Sequence, residues 1–244
     1  LKLIKTAILI IVDIKNINLD DVKNLDNFSG IVPIFPLSTI VFFPNTLLPL
    51  HIFEKRYREM LTSSLDSEKV IAMALFKPGW EEHYQDNPEI FDVAGMGRIV
   101  SSETFSDGRS NIVLYGLKRI KILEILEEKP YRKARVEILE NKDTPFEEDY
   151  RNRINHLITG WNDILGSKGK KHKININTLL PIENLTDVLA SVLITNVFEK
   201  QLLLEETDVE NRAKRLIAFL ETRLKVVSIT VGRSDSILQK RNLN

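Results

Sequence analysis

Apolar residues run almost unbroken through residues 31–50, and Pro36, Pro44 and Pro49 cut the run into pieces of strand length. Proline has no N–H to give to a ladder, so these pieces are expected to be short edge strands joined by tight bends. At Phe53 the period changes. Phe53, Tyr57, Met60, Leu61 and Leu65 fall on one 3.6-residue stripe while Glu54, Lys55, Arg56, Arg58 and Glu59 face away, which predicts an amphipathic helix. Residues 70–76 (VIAMALF) form a continuous apolar run, the pattern of a strand covered on both faces. KPGWEEHYQDNPEI then reads as a loop. From Phe91 the chain becomes an antiparallel meander. VAGMGRIVSSETF and SNIVLYG flank Asp107-Gly108, a pair suited to a primed hairpin turn. KRIKILEILEE and YRKARVEILE follow as half-buried strands.

After residue 141 the pattern turns helical. Thr144, Pro145 and Glu147 have the form of a capping box with proline at the first helical position. The helix they open carries Phe146, Tyr150, Ile154, Leu157, Ile158, Trp161, Ile164 and Leu165 on its apolar stripe. Trp161 is therefore expected in the core, where truncation to Ala costs ~3–5 kcal/mol. A second helix from about Asn184 carries Leu185, Val188, Leu189, Val192, Leu193 and Val197. A third starts at Thr207 with Glu210 three residues on and a stripe through Val209, Ala213, Leu216, Ile217, Leu220 and Leu224. The expected organisation is an N-terminal arm or linker over 1–30, a β-rich unit over 31–143, a helical unit over 144–228 and a tail over 229–244. In fold class this is α+β.

Composition narrows the chemistry. Lys plus Arg and Asp plus Glu both number 34, so the chain is formally neutral and lacks the footprint of a dedicated nucleic-acid binder. With no cysteine, disulfides, thiolate metal sites and a cysteine nucleophile are excluded, which fits a reducing cytoplasm. Residues 2–12 hold two lysines before an apolar stretch of about seven residues, too short to span a bilayer and without a small-residue cleavage site. No window fits GxxxxGK[ST], and GSKGKK at 166–171 has the wrong spacing. No GxSxG elbow is present. His51, His83, His156 and His172 are scattered, and Glu82, His83 and Asp86 read as a solvated acidic loop.

Two blocks resemble one known family. In the first, Pro33, Phe35, Pro36, Leu37, Phe43, Pro44, Pro49, Leu50, Phe53, Glu54, Arg56 and Tyr57 follow the opening of the N-terminal substrate-recognition domain of the ATP-dependent protease Lon. In the second, Asp187, Leu189, Ala190, Lys200, Gln201, Leu203, Leu204, Glu205, Asp208, Val209 and Arg212 follow its LAD helix, KQ-LLE connector and DVxxR helix start. The resemblance implies a PUA-like β pseudo-barrel with one principal helix, followed by a C-terminal helical bundle. It implies a free-standing module that binds unfolded or exposed-hydrophobic polypeptides without cofactor or catalysis, since Lon's ATPase and Ser-Lys protease modules have no counterpart in these residues. Self-association, or association with a Lon protease, is a further expectation, and no membrane partner is expected.

The candidate contact residues are the aromatic-proline bend residues Phe42, Phe43 and Leu47 and the loop aromatics Trp80 and Tyr84. The alternative is a PUA-like nucleic-acid or small-ligand domain using Lys118, Arg119, Lys121, Arg132, Lys133 and Arg135. Glu124, Glu127, Glu128, Glu137 and Glu140 lie among these cations, so a mixed solvated face is favoured.

Overall fold

The structure, a computed structural model, describes residues 18–83, 87–127, 129–166, 174 and 176–241, the side chains of His83, Leu165 and residues 227–241 excepted. It divides into two compact units. One comprises Leu1–Glu140 with Lys200–Glu205, the other Asn141–Glu199 with Glu206–Asn244.

The first unit is a six-stranded mixed sheet: β1 (Ile31–Leu37), β2 (Leu47–Ile52), β3 (Val70–Leu75), β4 (Val93–Thr104), β5 (Ser110–Glu127) and β6 (Arg132–Leu139). The order is β2-β5-β4-β3-β1-β6, and β5 also pairs with β6, so the pairings return to their start through five strands. β1 runs parallel to β3 while the other pairs are antiparallel. β1 is thus interior in the order, unlike the expected edge strand, but its two ladders overlap only at Ile34. Pro33 lies in the stretch paired with β6 and Pro36 in the stretch paired with β3. Each proline therefore sits where the strand has one neighbour and its missing N–H breaks no second ladder. β2, with Pro49, pairs only with β5 among the described residues and is a true edge.

β3 is buried at every position. Its alternate residues feed two clusters: Val70, Ala72 and Ala74 join Val32, Ile34, Met96, Tyr115 and Ile120, while Ile71 and Met73 join Phe35, Phe42, Ile99 and Leu114. Helix α2 (Lys55–Leu65) closes the second cluster with Tyr57, Met60 and Leu61. It begins two residues later than the stripe predicts, so Phe53 lies ahead of it and is 61% exposed.

Residues 18–30 were expected as a polar linker, yet α1 (Leu19–Lys23) forms there, with Asn18 as its N-cap. Val22, Leu25 and Phe28 pack against the first cluster. The β4–β5 hairpin also differs from expectation. Only Gly108 takes a positive φ, +80°, and the Gly108 N–H donates to Phe105 O, so a β-turn over 105–108 closes on a left-handed glycine instead of a two-residue primed turn.

The second unit holds α3 (Glu147–Gly166), α4 (Ile182–Leu193), the start of α5 (Val197–Glu205) and α6 (Val209–Arg241). Thr144 Oγ1 accepts from Phe146 N instead of Glu147 N and the helix begins only at Glu147, so Thr144 and Pro145 lie ahead of it and the expected capping box does not close; Glu147 pairs with Arg151. The expected second helix breaks after Leu193, because Asn196 accepts from Phe198 N and Glu199 N and caps a new helix. At α6 the cap is Asp208, which accepts from Asn211 N, and not Thr207. Glu210 instead binds Lys214 and Tyr150, and these hydrogen bonds hold its carboxyl below the usual range. Their stabilising effect is present above the ordinary carboxylate pKa and is lost as pH falls through the lowered one. α6 continues to Arg241, through the stretch assigned to a tail. GSKGKK lies almost wholly outside the described residues.

Along α3, Ile154, Leu157 and Ile158 are buried, whereas Phe146 is 52% exposed and Trp161 only half-buried. Trp161→Ala is accordingly expected to cost about 1–2 kcal/mol in denaturant unfolding, below the ~3–5 kcal/mol for a fully buried aromatic. A loss above that range requires a ring more deeply packed than this.

Candidate polypeptide-binding surface

The candidates of the aromatic-proline bend separate by burial. Phe42 and Phe43 are 2% and 1% exposed, so neither ring is presented to a partner. The reason is visible in three glycines. A Cβ on Gly95 or Gly97 would collide with Phe42, and one on Gly116 with the Phe43 carbonyl and Pro44. The bend is pressed into notches that only glycine leaves open, and it is fastened there by Asn45 N to Gly116 O at 2.8 Å and Gly116 N to Thr46 O at 2.9 Å. Leu47 is half-buried against the cluster containing Tyr115, whose hydroxyl donates to Asn45 Oδ1.

Trp80 stands apart from these. Its ring stacks on Phe76 with centroids 5.3 Å apart and planes 11° from parallel. Half-buried, it lines an open cleft of about 500 Å³ with Lys77, Pro78, Glu82, Asn87 and Pro88. Tyr84, and Asp86 of the acidic loop, lie outside the described residues.

Another aromatic group lies outside the contact residues that the sequence singles out. His51, at the end of β2, lies with its ring 6.2 Å from that of Phe53 and 6.5 Å from that of Phe105. Phe105 is 37% exposed and His51 is also exposed. Strand alternation is the signal that could have found them: with Ile52 buried, His51 and Phe53 must face the other way. The three rings sit beside the edge strand and the hairpin tip, where Asp107 pairs with Arg109. The side-chain hydrogen bond from Arg109 holds the Asp107 carboxyl below its usual range.

The basic strand surface is largely neutralised or buried. Lys118 pairs with Glu140 at 2.8 Å, Lys133 with Glu127 at 3.2 Å and Arg135 with Glu124 at 3.6 Å. Arg119 and Arg132 are buried and donate to the carbonyls of Leu204 and Pro88. Among the described residues no group of three or more His, Asp or Glu could hold a metal ion, and no helix is long and apolar enough to cross a membrane.

Residues 31–222 match the sequence model of the ATP-dependent protease La (LON) substrate-binding domain. The chain belongs to that family. It is 30% identical over 212 residues to a Lon protease of Dictyoglomus thermophilum, covering 86% of this chain and 26% of the relative. It is 23% identical over 219 residues to a Lon protease of Anaeromyxobacter dehalogenans, covering 88% and 26%. The chain thus spans about a quarter of the length of these relatives. The N-terminal domain of a Mycobacterium avium complex Lon protease shares its fold at TM-score 0.60 and 16% identity, over 78% of this chain and 98% of that one. A Lon N-terminal domain protein from Xanthomonas campestris does so at 0.57 and 19%, over 77% and 97%.

The Lon-like motif residues mostly hold the fold together. Tyr57 packs on Phe35 with centroids 4.2 Å apart, and Glu54 pairs with Arg56 at 3.0 Å. Gln201 donates to Val93 O at 2.9 Å. Arg212, fully buried, lies 3.5 Å from Asp187 and donates to Thr186, Asn141 and Glu206 O. Family likeness therefore marks the scaffold of this Lon-type domain, while the exposed aromatic groups are carried by positions outside the motif, Phe53 excepted.

Proposed function

We propose that this chain is a non-catalytic polypeptide-binding module of the Lon substrate-binding type. In this reading the six strands form a PUA-like pseudo-barrel and α3, α4 and α6 a helical bundle. The module works in the cytoplasm on unfolded or exposed-hydrophobic polypeptides, with a second copy or a Lon protease as further associates. The observation that carries the reading is the exposed His51, Phe53 and Phe105 group beside the edge strand β2. An extended polypeptide can add its backbone to such an edge and lay an apolar side chain against the rings. The cleft at Trp80 offers a second contact of the same kind. Leu47 stays a candidate at the edge of its cluster, and Phe42 and Phe43 leave the contact set.

Nucleic acid is the weaker reading, because most of the cations it would use are paired with glutamates or buried.

Titration of fluorescein-labelled casein, an unstructured probe, is expected to give micromolar affinity without ATP, about −8 kcal/mol. Phe53→Ser with Phe105→Ser is expected to weaken it at least about tenfold, roughly 1.4 kcal/mol, and Trp80→Ala to weaken it less. Equal affinity in wild type and the double variant removes the aromatic group from the site. No binding at high micromolar concentration removes the polypeptide reading itself.

A further inference from the structure

Residues 18–28 lie ahead of the segment that the family model matches, yet they are seated on the first unit. Val22 is 8% exposed, and Val22, Leu25 and Phe28, spaced three apart, join the apolar cluster that also holds Leu47 and Tyr115. Lys23 Nζ lies 5.8 Å from the Tyr115 ring centroid. The seat is completed by Arg98, on β4, whose guanidinium donates to Asp21 O at 3.0 Å and to Asn24 O at 2.7 Å. Those are carbonyls at the C-terminal end of α1, groups that a short helix leaves without internal partners.

Two features make this seat separable from the fold around it. A helix of five residues does not hold in water by itself, so α1 is helical only while docked. A polar hollow of about 320 Å³, lined by Asp21, Asn24, Leu25, Asn27, Phe28, Glu68 and Arg98, lies along the segment. The contact is made by three apolar side chains, the Lys23 ammonium over the Tyr115 ring and two backbone carbonyls, and no carboxylate or amide side chain of the segment accepts from Arg98 in the bonds described. Recognition of that kind reads an apolar spacing and a free helix end, not a sequence.

We propose that this surface is a docking site for polypeptide segments with apolar residues three apart and a free helical C-terminal end, and that residues 18–28 are its internal occupant, which a client must displace. The proposal rests on the polypeptide-binding reading above and gives it a substrate class and a means of restraint. While the strap is seated, apparent client affinity is reduced by the fraction of molecules in which the seat is open.

The test uses the full chain with the strap's apolar residues changed, as Val22→Ser with Leu25→Ser, and with Leu25→Ser alone as a milder release. Labelled casein is expected to bind the double variant about tenfold or more tightly than wild type, and the single variant by an intermediate factor. A synthetic peptide of residues 18–30 is expected to compete with casein on the double variant, and Arg98→Gln in that background to reverse the gain. Casein binding that is unchanged by strap release, or indifferent to the peptide, overturns the strap and leaves the polypeptide reading standing. Absence of casein binding in wild type and released variants alike overturns both.

Discussion

Asp187→Ala is expected to lower the stability of the helical unit by about 3–5 kcal/mol, the range for removing one partner of a buried ion pair. Arg212 and Asp187 are 0% and 2% exposed at the side chain, so the substitution leaves a guanidinium in the interior without its counter-charge. Thr186, Asn141 and the Glu206 carbonyl remain as acceptors, but none of them carries charge. The sign of the effect depends on whether one partner is removed or both. Replacing both, as Asp187→Leu with Arg212→Met, is expected to recover most of the loss, since the desolvation cost disappears with the charges. Denaturant unfolding followed by helical circular dichroism measures both variants. A loss below about 1 kcal/mol for Asp187→Ala would place the pair among weakly contributing surface contacts.

Phe43→Ala is expected to cost the β-rich unit about 3–5 kcal/mol through the cavity it leaves, with casein affinity unchanged in the fraction that stays folded. Gly116→Ala attacks the same joint from the other side. Its Cβ meets the Phe43 carbonyl and Pro44 Cα, backbone atoms that cannot swing away, so β5 or the bend must shift. Thermal melts beside casein titration separate the two roles of this bend. Weakened casein binding at full stability would return Phe43 to the contact surface.

What could be read from the sequence follows how local the cause is. The buried run at 70–76 and the alternation of Ala134 and Val136 along β6 depend on near neighbours, and the structure has them. The bend at Phe42 and Phe43 looked like an exposed apolar corner because what buries it comes from β4 and β5, more than fifty residues on. Gly95, Gly97 and Gly116 lie far along the chain from the residues they receive, and nothing in their local sequence names that partner. Arg119 and Arg132 sat in a visibly charged stretch, and nothing in their spacing marks them as buried under Leu204 and Pro88 carbonyls. Phe53 fitted the helical stripe in phase, but the helix begins at Lys55, so periodicity counted a residue that belongs to the strand's outer face. The restart at Asn196 was hidden because Val197 continued the stripe of the helix before it.

The path of the chain through α5 has a consequence for any attempt to produce the two halves separately. Lys200–Glu205 counts with the β-rich unit although it follows most of the helical unit in sequence. Leu203 and Leu204 are buried, Gln201 caps the Val93 carbonyl, and the Leu204 carbonyl receives the Arg119 guanidinium. A fragment ending at residue 140 therefore loses the Leu204 carbonyl that receives the Arg119 guanidinium, and with it a segment of its own unit that carries two buried leucines. Such a fragment would be sticky for reasons unrelated to client recognition, and its binding of unfolded protein would imitate the very activity it was cut out to measure.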